Sequence, residues 1–361
     1  MTTIGNVCAF TNGKAHEQNV VEYGEYIIVN SKFISSDGVV KKYSNKQICP
    51  LFKNDIVMVM SDVPNGKAMS KCFCIDKDNK YTLNQRICAL RTKQIPLYYM
   101  MQINRNDYFM KFDDGVKQTN LRKDDVLACP VYSTTIKEQT KIADFLSLID
   151  QRIEKQRRLV ESLKKYKRGL LSAIFDRKLR FKDTDFSLWK NVRLSECCLG
   201  FDNKRQPISS ELREKGTVPY YGANGIQDYV KDYIFDGEYI LLAEDGGHFD
   251  EFQTKPIAQY ITGKSWVNNH AHILQATEKD CTKYIYYALV HKDIRKYING
   301  SSRAKLNQED MWQIVILLPN LKQQIKIAQF MSSIDKILSI EEKMLTVLEE
   351  KKQGLLQQMF I

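Results

Sequence analysis

The chain has 361 residues, of which 43% are hydrophobic, and its formal net charge is +11 at pH 7. This length favours two domains with ordinary cores, and the positive charge favours a polyanionic partner. No apolar run approaches the ~20 residues of a membrane span, and the N-terminus lacks the basic-then-apolar layout of a signal peptide. The nine scattered cysteines indicate reduced thiols, so we expect a cytoplasmic protein without membrane contact.

The first predicted element is a globular module over residues 1–137. Its strongest strand signal is the apolar run that ends at Met60, after a turn signal. A second strand is expected within Tyr81–Leu90, and a short helix is expected after Leu97. The mixture of strands and helix predicts an α+β fold for this module.

A long helix is predicted next, over residues 138–179. Its apolar residues recur in steps of four and three, apart from polar interruptions at Gln156 and Lys167. Such a heptad pattern is typical of a coiled-coil seam, although a helix that packs only on its own domain is the alternative. The predicted seam residues of this helix are Ile142, Leu146, Ile149, Ile153, Val160, Leu163 and Leu170.

The second globular module, over residues 180–322, repeats parts of the first. The run Phe235–Ala243 matches the apolar strand of the first module, Phe52–Met60. The run Trp266–Gln275 matches Tyr81–Leu90 at almost the same offset along the chain. We therefore expect the same α+β scaffold in both modules.

The last element is a second long helix over residues 323–361, which copies the first. The segment Leu121–Phe175 reappears as Leu306–Phe360 at a constant offset, without a gap. The polar interruptions recur at Glu341 and Lys352. The predicted seam residues of this helix are Ile327, Met331, Ile334, Leu338, Leu345, Leu348 and Leu355.

Charge distinguishes the two long helices. Residues 139–180 carry a net charge of +7, whereas residues 324–361 carry a net charge of zero. The first helix carries basic pairs such as Lys164-Lys165, and the second carries the acidic pairs Glu341-Glu342 and Glu349-Glu350. Opposite charges beside a seam favour pairing of these helices with each other over self-association. We therefore predict an intramolecular, antiparallel two-helix coiled coil that separates two pseudo-symmetric modules. A helix of this kind spans roughly 57 Å, and paired DNA half-sites lie about 34–36 Å apart per helical turn, so the rod could hold two DNA-contacting modules at a set distance.

Four stretches carry a resemblance to a known family: Glu138–Asp150, Lys167–Phe175, Phe235–Asp245 and Trp266–His270, the first two with their second copies. The pattern resembles the specificity subunit of type I restriction-modification enzymes and covers nearly the whole chain. The resemblance implies two target-recognition domains, each reading one half of a split site in double-stranded DNA, with the helices as spacer. It also implies that two methyltransferase subunits dock on the chain, and that motor-nuclease subunits join for cleavage.

The first module departs from this plan at its start. The second module is preceded by an entry segment, Asp176–Arg193, which includes Trp189. The first begins directly at Thr3, which is equivalent to about Arg193. We therefore expect the first module to be less firmly seated, or its start to be truncated.

Loop residues in the stretches where the modules diverge are the expected DNA contacts, because Lys, Arg, Asn and Gln side chains contact phosphates and base edges. Two such stretches begin at Asn30 and at Tyr220 and have no clear partner in the other module. For any one residue, an ordinary surface role is the alternative. The predicted contacts of the first module are Lys14, Asn65, Lys67, Gln85, Arg86, Lys117 and Gln118. Those of the second module are Lys204, Arg205, Tyr220, Tyr221, Asn224, His248, His270 and Arg303.

Motifs for catalysis, cofactors and metals are missing from the sequence. A methyltransferase would need an Asn/Asp-Pro-Pro-aromatic loop and a glycine-rich cofactor turn, and neither is present. His270 and His272 have no carboxylate or cysteine at ligand spacing, so alternating strand residues are the better interpretation. We expect a non-catalytic DNA-binding subunit without cofactor or metal. The alternatives are a coiled-coil scaffold that binds proteins without reading DNA, and a self-sufficient nuclease or methyltransferase.

Overall fold

The computed structural model describes residues 1–62, 68–104, 107–112, 119–179, 181, 189–300 and 304–360. It divides into two compact units. Unit 1 contains Met1–Lys155 and Leu345–Ile361, and unit 2 contains Gln156–Met344. Each long helix is therefore divided between the two units. Within the described ranges, no helix is both long and apolar enough to cross a bilayer.

The first part of the chain alternates short strands with short helices and ends in a long helix. In chain order, its elements are β1 (Thr2–Thr3), α1 (Ile4–Val7), β2 (Cys8–Asn12), β3 (Val20–Val21), β4 (Tyr26–Val29), α2 (Ser31–Ser35), β5 (Tyr43–Ser44), β6 (Ile56–Val59), β7 (Ser61–Asp62), β8 (Cys72–Cys74), β9 (Tyr81–Leu83), β10 (Ile87–Thr92), α3 (Pro96–Asn104), β11 (Thr119–Asn120), α4 (Lys123–Leu127), β12 (Pro130–Val131) and α5 (Ile136–Phe175).

The second part of the chain has longer strands and ends in the second long helix. In chain order, its elements are β13 (Lys190–Arg193), α6 (Leu194–Cys197), β14 (Cys198–Gly200), β15 (Lys215–Gly222), β16 (Gly225–Val230), β17 (Phe235–Ala243), β18 (Ala258–Val267), β19 (Ala271–Ala276), α7 (Thr282–Leu289), β20 (Ile298–Asn299), β21 (Lys305–Leu306), α8 (Gln308–Trp312), β22 (Val315–Leu318) and α9 (Leu321–Met359).

Both units are built on the same three antiparallel strands. Unit 1 has a four-stranded sheet in the order β2-β10-β6-β8, and unit 2 has a six-stranded sheet in the order β14-β19-β17-β18-β15-β16. The strands β2, β10 and β6 correspond to β14, β19 and β17. The structure therefore contains two repeated domains of mixed helices and strands.

The central strand of each sheet is buried on both faces. In β6, Ile56 and Met58 belong to the core cluster that includes α3, while Val57 and Val59 belong to the cluster beside β4. This alternation follows from the period of two along a strand. Because both faces are covered, β6 appears in the sequence as a continuous apolar run and not as an alternating one.

The stretch that begins at Tyr220, which has no clear partner in the sequence of the first module, has a partner in its structure. In unit 1, β4 pairs in parallel with β9, with Ile27 opposite Tyr81. In unit 2, β15 pairs in parallel with β18, with Tyr220 opposite Trp266. The stretch at Tyr220 therefore has a structural counterpart in β4, which sequence comparison missed. The divergence begins after this strand, because unit 1 continues into α2 and unit 2 turns into β16.

The start of each module is anchored in the same way. In unit 2, β13 pairs with β22 over four residues, and Leu194 N donates to Ile314 O. In unit 1, β1 pairs with β12 over two residues, and Ile4 N donates to Cys129 O. The first module thus has the same anchor with a shorter strand pair.

The two polar interruptions of α5 lie in unit 2, and each finds a partner on α9. Gln156 Nε2 donates to Glu341 Oε2 at 2.5 Å and to the Glu341 carbonyl at 3.0 Å. Lys167 Nζ lies 2.5 Å from Asp335 Oδ1. The later residue of α5, Lys167, pairs with the earlier residue of α9, Asp335, so the two helices run in opposite directions within this unit.

The second interruption of α9 is paired inside unit 1. Lys352 Nζ lies 2.5 Å from Asp150 Oδ1. Asp150 and Asp335 occupy equivalent slots in the two copies, as do Lys167 and Lys352. The polar breaks in the heptad pattern are therefore matched donor–acceptor positions, which penalise any other register of the helices because a slipped pair would leave charges unpaired.

Each long helix also begins with a buried glutamine that ties it to its module. Gln324 is 1% exposed; its Oε1 accepts from Cys281 N, and its Nε2 donates to Asp280 and to the Pro319 carbonyl. Gln139 is 0% exposed, and its Nε2 donates to Gln94. Gln324 Oε1 thereby satisfies the amide of the residue before α7, and Gln139 Oε1 accepts from Ile95 N, the amide before α3, at 3.4 Å.

Candidate nucleic-acid interface

A cavity of about 650 Å³ with a mixed polar and apolar lining lies at one edge of the unit 2 sheet. It is formed by three turns: the hairpin between β15 and β16, the turn after β17 and the turn before β19. Asn224 and His270, both predicted DNA contacts, face the same cavity. The complete lining is Ala223, Asn224, Gly225, Ile226, Gln227, Asp245, Gly246, Gly247, His270 and Ala304.

The turn after β17 needs its two glycines. Gly246 has a φ of +64°, in the left-handed region that residues with a Cβ rarely adopt. A Cβ on Gly247 would lie 2.6 Å from the Cβ of Ala243, so this position admits no side chain without displacement. Asn224 Nδ2 donates to the Gly246 carbonyl at 2.8 Å and so ties the hairpin to this turn.

An aspartate–histidine pair forms part of the cavity wall. His270 Nδ1 lies 2.5 Å from Asp245 Oδ1, and the backbone N of His270 donates to Asn268 Oδ1 at 2.8 Å. The side chain of Asp245 is 14% exposed and that of His270 is 40% exposed. The carboxylate therefore lies behind the ring, and the ring faces the open space.

A largely buried charged cluster adjoins the cavity, because Glu244 precedes Asp245 and Lys305 follows Ala304 in the chain. His272 lies 2.6 Å from Asp202 Oδ2 through Nδ1 and 2.9 Å from the Leu306 carbonyl through Nε2. Arg205 Nη1 lies 2.5 Å from Glu244 Oε2, and Lys305 Nζ lies 3.1 Å from Glu244 Oε1. The cluster joins the segment after β14 to β17, β19 and β21.

Three members of this cluster, Asp202, Glu244 and His272, place ligand atoms within 4.8 Å of one another, a spacing that could hold a metal ion. However, Arg205 and Lys305 already supply two positive charges to the same carboxylates. A dication would have to displace them against like-charge repulsion. The donor set fits a salt-bridge cluster better than a metal site.

This cluster predicts acid sensitivity of unit 2. Burial alone would raise the pKa of Asp202, but the hydrogen bond and charge of His272, the Ile273 amide and Arg205 outweigh it and lower the pKa below its ordinary 3.8. Burial likewise opposes, but does not cancel, the effect of Arg205 and Lys305, so the pKa of Glu244 lies below its ordinary 4.5. A lowered carboxyl pKa stabilises the folded state above the ordinary value, and this stabilisation is lost as pH falls through the lowered value.

We expect the urea concentration at the unfolding midpoint of unit 2 to decrease as the pH is lowered from 6 to 3. Asp202→Asn should weaken this pH dependence and should lower the free energy of unfolding at pH 7 by about 1–3 kcal/mol. The three tryptophans, at 189, 266 and 312, all lie in unit 2, so tryptophan fluorescence reports on this unit. The exposed Glu278→Gln serves as the control. An unchanged pH dependence in Asp202→Asn would contradict the assignment.

The predicted contacts of the first module are only partly described. Lys14, Gln85 and Arg86 are exposed or half-buried, and Gln85 Nε2 donates to Glu17 Oε1 at 2.7 Å. Lys14 forms an isolated parallel bridge with Asn84, next to the turn that carries Gln85 and Arg86, so these three share one edge of the module. The remaining four, Asn65, Lys67, Lys117 and Gln118, lie outside the described residues.

Two predicted contacts of the second module are engaged within the fold, Tyr220 in the interior and Arg205 in a half-buried position. Tyr220 is 1% exposed, its hydroxyl accepts from Ile208 N at 3.1 Å, and the Arg213 guanidinium lies 4.2 Å from its ring centroid. Arg205 is bound in the charged cluster and also donates to the Ala271 carbonyl at 3.0 Å. Both predictions are corrected: these side chains support the fold, because alternation along β15 turns Tyr220 inward and two carboxylates hold Arg205.

The other predicted contacts of the second module lie nearer the surface, except for one residue. Lys204 is exposed, Tyr221, His248 and His270 are half-buried, and Asn224 lies exposed at the tip of its hairpin. His248 lies 3.9 Å from Glu251 and does not line the cavity, although it follows the lining residue Gly247. The exception is Arg303, which lies outside the described residues.

Of the cavity-lining residues, sequence reasoning named only Asn224 and His270 as contacts, and it missed the polar side chains of Gln227 and Asp245. A signal for them existed, because Asn224-Gly225 is a strong hairpin dipeptide and Asp245-Gly246-Gly247 is a strong turn signal. In the sheet, β18 lies between β15 and β17, so adjacency of strands does not predict that the turns after β15 and β17 line one cavity. Only the three-dimensional arrangement shows it.

The duplicated α+β scaffold, with one long helix after each copy, defines the class of protein. The family model for the type I restriction modification DNA specificity domain matches residues 1–164 and again residues 187–350. The chain therefore belongs to this family, and it contains two copies of the family's domain.

Individual relatives agree with this assignment. A Haemophilus influenzae protein named for a type I restriction enzyme specificity subunit is 37% identical over 151 residues, which cover 42% of this chain and 38% of the relative. The EcoprrI specificity subunit of Escherichia coli is 23% identical over 130 residues, covering 36% of this chain and 31% of the relative. The chain thus spans well under half of the length of these two relatives.

A solved structure shows the same fold over almost the whole chain. The crystal structure of the S subunit of a type I restriction-modification system from M. genitalium superposes with a TM-score of 0.64 at 19% identity. The alignment covers 99% of this chain and 95% of that chain. At this identity the likeness concerns the fold alone.

Proposed function

We propose that this chain is the non-catalytic specificity subunit of a type I restriction-modification system, which recognises a split site in double-stranded DNA. Partner subunits would then methylate adenine or cleave the DNA. The observation that carries the proposal is the duplication: the family's DNA specificity domain occurs twice, at residues 1–164 and 187–350. Two domains with one scaffold and different loops suit two different half-sites.

The proposal assigns DNA contacts to the exposed or half-buried loop residues. In unit 1 these are Lys14, Gln85 and Arg86. In unit 2 they are Asn224 and His270, which line the cavity. Side chains of these types pair with base edges and phosphates. The cavity concentrates hydrogen-bonding groups at one edge of the sheet, as a reader of base edges would require.

The two long helices are proposed to form the antiparallel coiled coil that separates the half-sites. Among the predicted seam residues, Leu146, Ile153, Val160, Ile327 and Met331 are buried. Within each unit, the polar breaks of the seam are paired between the helices. A pair with one allowed register has one length, which is the property a spacer needs.

The helices also carry apolar side chains that the seam leaves exposed. On α9, Ile337, Ile340 and Met344 are 46%, 60% and 45% exposed, and they recur in steps of three and four. On α5, Phe145 and Leu148 are 46% and 63% exposed. An apolar stripe beside a filled seam is a docking face for further helices. We assign it to the two methyltransferase subunits, with motor-nuclease subunits joining for cleavage.

The test is co-expression of the chain with the methyltransferase subunit of its own system, followed by co-purification and sequencing of methylated DNA. We expect a complex and a motif of two short halves with a fixed gap. A motif with a single specific half would mean that one module does not read DNA. Without a complex and without methylation, the coiled-coil protein-interaction scaffold becomes the better interpretation, because it needs neither.

A further inference from the structure

The Asp245–His270 pair fixes which ring nitrogen of His270 can read a ligand. Asp245 Oδ1 lies 2.5 Å from Nδ1, and a carboxylate can only accept, so Nδ1 carries the proton. In a neutral imidazole the other nitrogen, Nε2, is then an acceptor. Among the described residues, none is a hydrogen-bond partner of Nε2, and the ring lines the cavity. Asp245 therefore determines that the His270 ring presents an acceptor, and not a donor, to the cavity.

The neighbouring charges do not compete for this ring. Glu244 is bound by Arg205 and Lys305, and its backbone N donates to the His270 carbonyl at 2.9 Å. The backbone N of His270 is held by Asn268. The ring is thus anchored on its backbone side and on Nδ1, and Nε2 is presented with a fixed direction.

Gln227 adds a donor to the same cavity. Its Oε1 accepts from Asn268 Nδ2 at 3.1 Å, so its amide Nε2 remains as the donating end. Asn268 thereby holds both residues, through its Oδ1 on His270 and its Nδ2 on Gln227. Among its polar groups the cavity thus presents an acceptor, His270 Nε2, which Asp245 orients, and a donor, Gln227 Nε2, which Asn268 orients.

We infer that this cavity reads an adenine in the half-site of unit 2, with His270 Nε2 accepting from the N6 amino group and Gln227 Nε2 donating to N7. Adenine is the base whose major-groove edge combines an amino donor with the N7 acceptor. Asp245 acts as a positioning residue, because it works through the tautomer of His270. The inference rests on the proposed function and names the base and the residues that this site uses.

The test compares the complex of the wild-type chain and its methyltransferase subunits with the same complex carrying Asp245→Asn. Binding is measured on duplexes in which each base pair of the motif is replaced in turn. An asparagine can turn either its oxygen or its amide towards Nδ1, so the tautomer is no longer fixed. A bidentate contact discriminates by about 5- to 150-fold, and we expect this factor to fall below about threefold at one adenine only. Asp293→Asn, an exposed aspartate paired with Arg295, is the matched control.

A second variant makes the readout specific to the base. Gln227→Leu should weaken binding to adenine at the same position, but should leave unchanged the binding to a duplex with 7-deaza-adenine there, since that base lacks the N7 acceptor. Unchanged discrimination in Asp245→Asn, or an equal loss at every position, would overturn the inference while the proposed function stands. If the position that loses discrimination is a cytosine, the adenine assignment is wrong, because the major-groove edge of cytosine has no acceptor beside its amino group. If the wild-type complex recognises no split motif, both the inference and the proposed function fail.

Discussion

Removing one heptad from the middle of each long helix should shorten the gap between the two halves of the recognised DNA motif. The suitable segments are residues 155–161 and 340–346, because each lies between an aspartate and a lysine of the interhelical pairs, Asp150 to Lys167 and Asp335 to Lys352. Seven residues correspond to about 10 Å of helix. At about 3.4 Å per base pair, this is at most about three base pairs, and the twist of DNA makes one to three the expected change.

The measurement is sequencing of methylated DNA from cells that express each form with the methyltransferase subunit. The deletion also removes Gln156 and Glu341, so the full-length variant with both residues changed to alanine is the control. That control should keep the original gap. If the deleted form methylates the original motif with its original gap, the helices do not set the distance, and the spacer proposal is wrong.

Asp335→Asn should destabilise unit 2 by about 2–3 kcal/mol, less than the roughly 3–5 kcal/mol of breaking a fully buried pair. Asp335 Oδ1 contacts Lys167 Nζ at 2.5 Å, and its Oδ2 accepts from the Tyr287 hydroxyl at 2.6 Å. Burial raises the pKa of Tyr287, and the hydrogen bond to Asp335 raises it further, so the phenol remains a donor at neutral pH. The expected loss is reduced because the side chain of Asp335 is 32% exposed, whereas that of Lys167 is only 15% exposed.

The chain supplies a matched control for this substitution. Asp150→Asn breaks the equivalent pair with Lys352, but Asp150 is 42% exposed. When α3 and α7 are aligned at their first residues, Met101 occupies the position of Tyr287, and a methionine side chain cannot donate a hydrogen bond to Asp150. We expect a loss below about 1 kcal/mol for this more exposed pair. Urea denaturation followed by tryptophan fluorescence for Asp335→Asn, and by circular dichroism for both variants, checks the difference. Equal losses would show that the tyrosine contact adds nothing.

The larger plan of the fold could be predicted from the sequence because repetition and periodicity are local signals. The constant offset between Leu121–Phe175 and Leu306–Phe360 identified two copies of one arrangement, and the steps of three and four identified the long helices. The polar interruptions at Gln156 and Lys167 could also be located. Their partners could not, because pairing depends on the register of two helices that are far apart in the chain.

The candidate site was harder to predict because it depends on which turns meet. Tyr220 stands beside the hairpin in sequence, but strand alternation places its ring inside. Arg205 lies in a loop with an exposed lysine, yet the carboxylates that hold it come from a distant strand end and from its own turn. Asp245 ended one of the stretches that carry the family resemblance, but its role depends on a histidine from another turn.

The pairing of the polar slots has a consequence for how a duplicated chain avoids joining other copies of itself. If α9 of one molecule paired antiparallel with α9 of another, Lys352 would still meet an aspartate, because Asp335 occupies the slot of Asp150. The position of Gln156 would instead be filled by a second Glu341, and two carboxylates would face each other. The difference between Gln156 and Glu341 at equivalent positions therefore favours pairing of α5 with α9 of the same molecule. It disfavours association of α9 with other molecules, which could continue without closing.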